Sequence, residues 1–374
     1  MEFEVSKQDF VDALALTHGV VEKRNPLPIL ANVLIESADR GGLTVLATDM
    51  DIGIRKHCPG EVRGDGSITV NARKLYEIAS AAPEEGIRVR GMDSHGIEVT
   101  SGRSKCRLNG LDPKEYPSIP GLTAKPSKDA TSIVAPPHVI DLMIERTVFA
   151  VSLDETRLNL SGVYAEHAGE NLRMVATDGH RLALMERKVE GDPLKRGIIL
   201  PRKGLLELRK VLGGGGVGDA VTIVVDGTTA RVLTGDAELF MVLVEGEFPD
   251  YRQVIPKDGK VAIKLDRESF LAALRRVSLL STERSRGVKL SLSEGMIELR
   301  TSNPDMGEAS DELEVAYTGE PISIGFNLRY LTEVLTVMPE GERVTLLVSD
   351  DVSPGILRTE GDDQFTYVVM PMRL

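Results

Sequence analysis

The sequence predicts an α+β fold made of three tandem copies of one domain, and three observations carry the prediction. An amphipathic helical stretch with a cation at a fixed place occurs three times: RKLYEIASAAP from Arg73, RKGLLELRKVL from Arg202, and RYLTEVLTVMP from Arg329. Alternating apolar and polar residues run into a polar turn three times, as LTVLATD to Asp49, LRMVATD to Asp178 and IELRTSN to Asn303. These pieces recur in the same order at a spacing of about 125 to 130 residues, and a long period of that kind sets the architecture.

Each copy opens with a short strand and a helix: FEVSKQDFVDAL with Phe10 and Leu14, SIVAPPHVIDLM with Val139 and Met143, VAIKLDRESFLAAL with Phe270 and Leu274. The i, i+4 apolar spacing marks one buried face on each. After the alternating strands comes the repeated helix, aligned as Val70, Arg73, Leu75, Glu77, Ile78; Leu200, Lys203, Leu205, Glu207, Leu208; and Phe326, Arg329, Leu331, Glu333, Val334. Turn-forming residues end it each time, and further strands begin at IRVRG, VTIVV and VTLLV. An apolar residue before proline closes each copy, at Tyr116-Pro117, Phe248-Pro249 and Met370-Pro371. The predicted domains are therefore 1–126, 127–258 and 259–374. Two helices and roughly eight strands per copy, sharing one apolar layer, put the sheets outside and the helices on one face.

A chain of 374 residues exceeds the size at which one core keeps growing, which agrees with several domains. No stretch approaches the length of a membrane span, and MEFEVSKQDF lacks the basic and apolar regions of a secretory signal. Two cysteines, Cys58 and Cys106, suit reduced thiols in a cytoplasm better than a disulfide framework. The formal net charge of -12 excludes a protein that grips nucleic acid over its whole surface, so the distribution of its cations matters more than the total.

On the repeated helix the apolar residues Leu75, Ile78, Ala82, then Leu205, Leu208, Leu212, then Leu331, Val334, Met338 form the core face. Arg73, Lys203 and Arg329 lie roughly 200° round from the first of these and point away from it. A surface i, i+4 ion pair with Glu77, Glu207 or Glu333 accounts for any one of them. Three repetitions, with Lys74, Arg202, Arg24, Arg146 and Arg286 nearby, instead describe a basic helical lining on an acidic body. Such a surface suits duplex DNA held through phosphates without base readout. With aromatics at 4%, base stacking is not the main mode.

NPLPILANVLIES, VATDGHRLAL, LPRKGLLEL, FPDYRQVIP, IGFNLRYLTEVL and the terminal YVVMPMRL together resemble the bacterial β sliding clamps, the processivity subunits of DNA polymerase III, across all three copies. The resemblance implies a head-to-tail homodimer closing a ring of six similar domains around sliding double-stranded DNA, the DNA clamp fold. It implies no catalytic activity and no cofactor. It also implies a peptide pocket shared by the polymerase III α subunit, the clamp loader and repair proteins. Positions matching that pocket are Leu160, Thr177, Gly179, His180, Arg181, Leu182, Pro249, Val254, Asn327, Tyr330, Val352, Val369, Met370, Pro371, Met372, Arg373 and Leu374. At the implied subunit interface, Cys106 and Leu108 of one protomer meet Leu279 and Leu280 of the other. Family members often carry an aromatic at Ser285, an arginine at Gln253 and a tyrosine pair at Leu158-Asn159. These departures bear on peptide preference and on single-stranded DNA contacts near Leu158.

Two rival readings have their own marks. Asp178 and His180 in TDGHRL could serve a hydrolase, but no nucleophile elbow accompanies them and the first copy has TDMDIG instead. A monomeric peptide-binding scaffold indifferent to DNA is the other, and a mass in solution separates it from a ring. His57, Cys58 and Cys106 are too few and wrongly spaced for a metal site. GGGGVG from Gly213 lacks the Lys-Ser/Thr of a phosphate loop and reads as a flexible connection.

Overall fold

The computed structural model describes residues 1–21, 27–39, 41–119, 122, 125–214, 216–256, 261–281 and 286–374. Arg24, Ser285 and the expected boundary at 258 lie outside the described residues. Six α-helices are described: α1 (Lys7–His18), α2 (Ala72–Ser80), α3 (Pro137–Glu145), α4 (Arg202–Leu212), α5 (Arg267–Ser278) and α6 (Leu328–Val337). Each copy thus has its two helices. Among the described residues each also has eight strands of four residues or more; Glu61–Arg63, Gly110–Leu111 and Glu190–Gly191 are additional short ones.

Local chemistry explains the helix starts. Ser6, Asn71, Asp266 and Asn327 stand at N-caps, and their side-chain oxygens accept from the backbone N–H of Asp9, Lys74, Ser269 and Arg329. α4 starts at Pro201 with no side-chain cap. The buried stripes differ slightly from the expected ones. On α2 they are Ala72, Leu75 and Ala79, with Ile78 half-buried and Ala82 beyond the helix end. On α4 Val211 takes the place expected for Leu212, and on α6 Leu335 joins Leu331 and Val334.

The described residues form two compact units, Met1–Asp141 with Val189–Arg196 and Leu200–Val244, and Leu142–Lys188 with Gly197–Ile199 and Glu245–Leu374. In the first unit, Phe10 and Leu14 of α1 pack with Leu75 and Ala79 of α2 over the inner residues Val33, Ile35, Val45 and Val89. A ten-stranded sheet in this unit joins two copies, because Ile52–Cys58 of the first pairs antiparallel with Ala237–Val242 of the second. In the second unit an eight-stranded sheet does the same, with Arg181–Lys188 pairing Asp362–Val369. There α5 and α6 bury Phe270, Leu274, Leu331 and Val334. Five- and four-stranded sheets end in open edges, at Ser104–Leu108 in the first unit and Gly307–Glu314 in the second.

Candidate functional site

The TDGHRL turn is built by one aspartate. Asp178 Oδ1 accepts from the backbone N–H of His180 at 2.9 Å and of Arg181 at 3.1 Å. Thr177 Oγ1 donates to Arg181 O at 2.6 Å and accepts from Gly179 N, where φ is +88° and glycine avoids the strain of a side chain. The first copy repeats this bond for bond: Asp49 Oδ1 accepts from Asp51 N and Ile52 N, and Thr48 Oγ1 donates to Ile52 O. Asp178 is thus occupied in holding a turn, and His180 stands exposed beside it.

Where the first copy has Ile52, the second has Arg181, 5% exposed and ringed by partners. Its Nε donates to Asp178 Oδ2 at 3.1 Å, its Nη2 to Phe149 O at 2.7 Å, and its Nη1 to Glu333 Oε2. Its guanidinium carbon lies 4.4 Å from the Tyr330 ring centre and 5.4 Å from that of Phe149. Burial alone would push the Glu333 carboxyl up, but hydrogen bonds from Arg181 and Arg329 outweigh it and hold the group below the ordinary carboxylate value. Tyr367 donates to Tyr330 O at 3.0 Å, and burial pushes its hydroxyl up.

The chain's last residues lie along this cluster. Met370 N donates to His180 O at 2.9 Å and Met372 N to Gly325 O at 2.7 Å, so the tail is fixed to the turn at one point and to the strand Ile322–Asn327 at another. Leu160, Leu182 and Val369 are buried beneath, while Met370, Pro371 and Met372 are half-buried and Arg373 and Leu374 exposed. Pro249, Val254 and Val352 are exposed, and Asn327 is committed to capping α6. Nearby, Arg157 Nη1 donates to Asp178 O at 3.3 Å and Asn159 Nδ2 to Glu247 O at 2.9 Å, which positions exposed Leu158. Gln253 donates to Asp250 at 2.9 Å. Phe149, Tyr367 and Gly325 escaped the sequence reading; the rarity of aromatics was the available signal for the first two.

The cations divide. Arg73 and Arg329 make the expected i, i+4 pairs with Glu77 at 2.9 Å and Glu333 at 2.6 Å, and exposed Lys74 adds an i, i+3 bond to Glu77 at 2.7 Å. Lys203 does not follow: its ammonium pairs with Asp49, and Glu207 instead accepts from Lys210 at 2.7 Å. Arg202 is half-buried and Arg286 exposed, with φ +43°. Arg146, expected on the surface, is 4% exposed, its guanidinium 5.1 Å from the Phe365 ring centre. Desolvation lowers its pKa, and a cation so enclosed cannot face a phosphate.

Models of three DNA polymerase III β-subunit domains match the chain in succession: the N-terminal domain over residues 1–120, the central domain over 135–250 and the C-terminal domain over 252–373. The chain belongs to the bacterial β sliding clamp family. The β sliding clamp of Pseudomonas putida is 36% identical over 381 residues, and that of Escherichia coli K12 is 32% identical over 375, each alignment covering both chains completely. Among solved clamps, that of Bartonella birtlesii bound to griselimycin superposes with a TM-score of 0.92 at 33% identity, covering all of both chains. The β subunit of Thermotoga maritima superposes at 0.91 and 28%, covering 100% of this chain and 99% of that one. As a β sliding clamp the protein is a ring-shaped processivity factor that binds DNA, tethers DNA polymerase III and catalyses nothing itself. No helix among the described residues is long and apolar enough to cross a membrane.

Proposed function

We propose that this clamp closes as a head-to-tail homodimer of three-domain protomers, divided at 126 and 258, in the cytoplasm. Double-stranded DNA passes along Arg73, Lys74, Arg202, Lys203, Arg286 and Arg329, without sequence readout. The polymerase III α subunit, the clamp loader and repair proteins dock short peptides in the groove of the TDGHRL turn and the C-terminal tail. The observation that carries this reading is the tail: three apolar side chains, Met370, Met372 and Leu374, stay partly in solvent although hydrogen bonds hold the backbone at Met370 and Met372 in place. Thioether side chains repack readily around different peptides, which suits several clients sharing one groove.

Support for the dimer comes from the two open edges. Ser104–Leu108 carries exposed Lys105 and Arg107 with half-buried Cys106 and Leu108, whereas Gly307–Glu314 carries Glu308, Asp311, Glu312 and Glu314. Open edges of opposite charge favour pairing with each other over pairing with themselves. Leu279, 77% exposed, and half-buried Leu280 add apolar surface to the acidic side. Light scattering is expected to give a dimer at micromolar concentration, and Leu108→Asp with Leu279→Asp to give monomers; a parent that stays monomeric contradicts the proposal.

Retention on DNA is the second test. The clamp should remain on nicked circular DNA, leave once the circle is cut, and bind free duplex only weakly and in a salt-sensitive way. Reversing Arg73, Lys74 and Arg329 to glutamate should abolish loading and processive synthesis without dissolving the dimer. Lys203 is omitted because it neutralises Asp49, which is largely buried. If this variant loads like the parent, the helices do not face DNA.

A further inference from the structure

The C-terminal tail rests on a glycine that its own strand does not require. Gly325 lies inside Ile322–Asn327, paired opposite Lys289, and its φ is not in the left-handed region. Any residue could adopt that backbone, and glycine in a strand interior weakens it; a close backbone approach is the usual reason for one. That approach is present. The three atoms nearest a Cβ built on Gly325 all belong to the tail: Met372 O, inside van der Waals contact, and Leu374 Cδ1 and Cγ at 2.9 Å. Met372 N meanwhile donates to Gly325 O at 2.7 Å, so the tail lies directly on this residue. For Gly287, on the adjacent strand Gly287–Ser293, the three nearest atoms are all in the Leu374 side chain, whose tip can rotate away, whereas a backbone oxygen cannot.

We propose, on the reading of the groove given above, that Gly325 is a positioning residue for client docking: its missing side chain lets Met372 lie flat on the strand and so sets where the Met370 to Leu374 wall of the groove stands. Gly325 touches no client. It acts through the tail, and the methionine side chains present a usable wall only while the Met372 amide stays bonded to Gly325 O. Pro371, between the two bonded amides, has no N–H and a fixed φ, so the segment has little freedom to recover its position once lifted.

The test uses the full-length dimer, a peptide carrying the α subunit's clamp-binding segment, calorimetry, and amide hydrogen exchange at Met370 and Met372. Gly325→Ala is expected to speed exchange at Met372 about tenfold, leave Met370 protected, and weaken the peptide about tenfold, as loss of one hydrogen bond and its geometry would do. Its melting temperature should equal the parent's, since the nearest obstacles to the new methyl are tail atoms. Gly287→Ala should stay within about twofold of the parent, a side-chain adjustment being sufficient. Parent-like affinity or parent-like Met372 exchange in Gly325→Ala overturns the proposal, and so does a lowered melting temperature, because the methyl then meets something other than the tail. Removing Met370 to Leu374 separates the two levels. If that truncation leaves affinity unchanged, the groove reading fails; if it abolishes binding while Gly325→Ala binds like the parent, only the role of Gly325 fails.

Discussion

Deleting Met370 to Leu374 is expected to abolish client-peptide binding while leaving the protein folded and dimeric. The last strand ends at Val369, which is fully buried, so truncation removes nothing from the sheet. What is lost is one wall of the proposed groove, a segment fixed by two backbone hydrogen bonds and partly open to solvent. A peptide binding at micromolar strength needs about -8 kcal/mol, and each fully buried apolar anchor supplies about 1.5–3 kcal/mol. Losing the wall against which one or two anchors pack takes the affinity beyond the reach of calorimetry. Met372→Ala should weaken several clients together, by a smaller factor, because one side chain leaves the backbone wall in place. Unchanged affinity in the truncated dimer would move the partner site elsewhere.

Arg181→Ala is expected to lower stability by about 3 kcal/mol or more, the range found when one member of a buried ion pair is removed and its partner is left behind. Asp178 and Glu333 both lose a cation, Phe149 O loses a donor, and the stack between Phe149 and Tyr330 opens. Arg181→Met fills the volume without the charge and should not restore stability. Combining it with Glu333→Gln should recover part of the loss. The pH dependence follows from Glu333. Its folded pKa lies below the unfolded one, so its contribution is complete above the ordinary carboxylate pKa and disappears as pH falls through the depressed value. Chemical denaturation from neutral to acid pH should therefore show parent and Arg181→Ala converging at the acid end. A constant gap would mean that Arg181 stabilises by packing alone.

The helices were legible because each writes a 3.6-residue period, four of them beside a capping side chain, and Arg73 with Glu77 and Arg329 with Glu333 were legible because i, i+4 partners lie on one helix face. Lys203 was not. Its partner Asp49 is 154 residues earlier, and no local pattern distinguishes the helix that turns its cation toward another turn from the two that do not. Arg146 misled for a similar reason, since an arginine just past an amphipathic helix reads as exposed until the Phe365 ring is seen beneath it. The pocket positions came from a match of motifs. Gly325 could not be singled out among 36 glycines, because what requires it is a tail oxygen supplied 47 positions later by Met372, and chain order says nothing about that approach.

The antiparallel seam between Ile52–Cys58 and Ala237–Val242 bears on how the chain can be cut and made. A fragment ending before Thr131 would keep the strands of the first copy but leave Ile52–Cys58 with a bare row of amides and carbonyls, beside the apolar side chains of Ile52, Ile54 and Cys58 that are buried in the intact chain. An unpaired edge of this kind recruits another chain. The same holds for Arg181–Lys188 without Asp362–Val369. Expressed singly, the repeats should aggregate or swap strands. During synthesis the first copy stays an open template until about a hundred further residues have left the ribosome, which makes it a natural substrate for chaperones that shield strand edges.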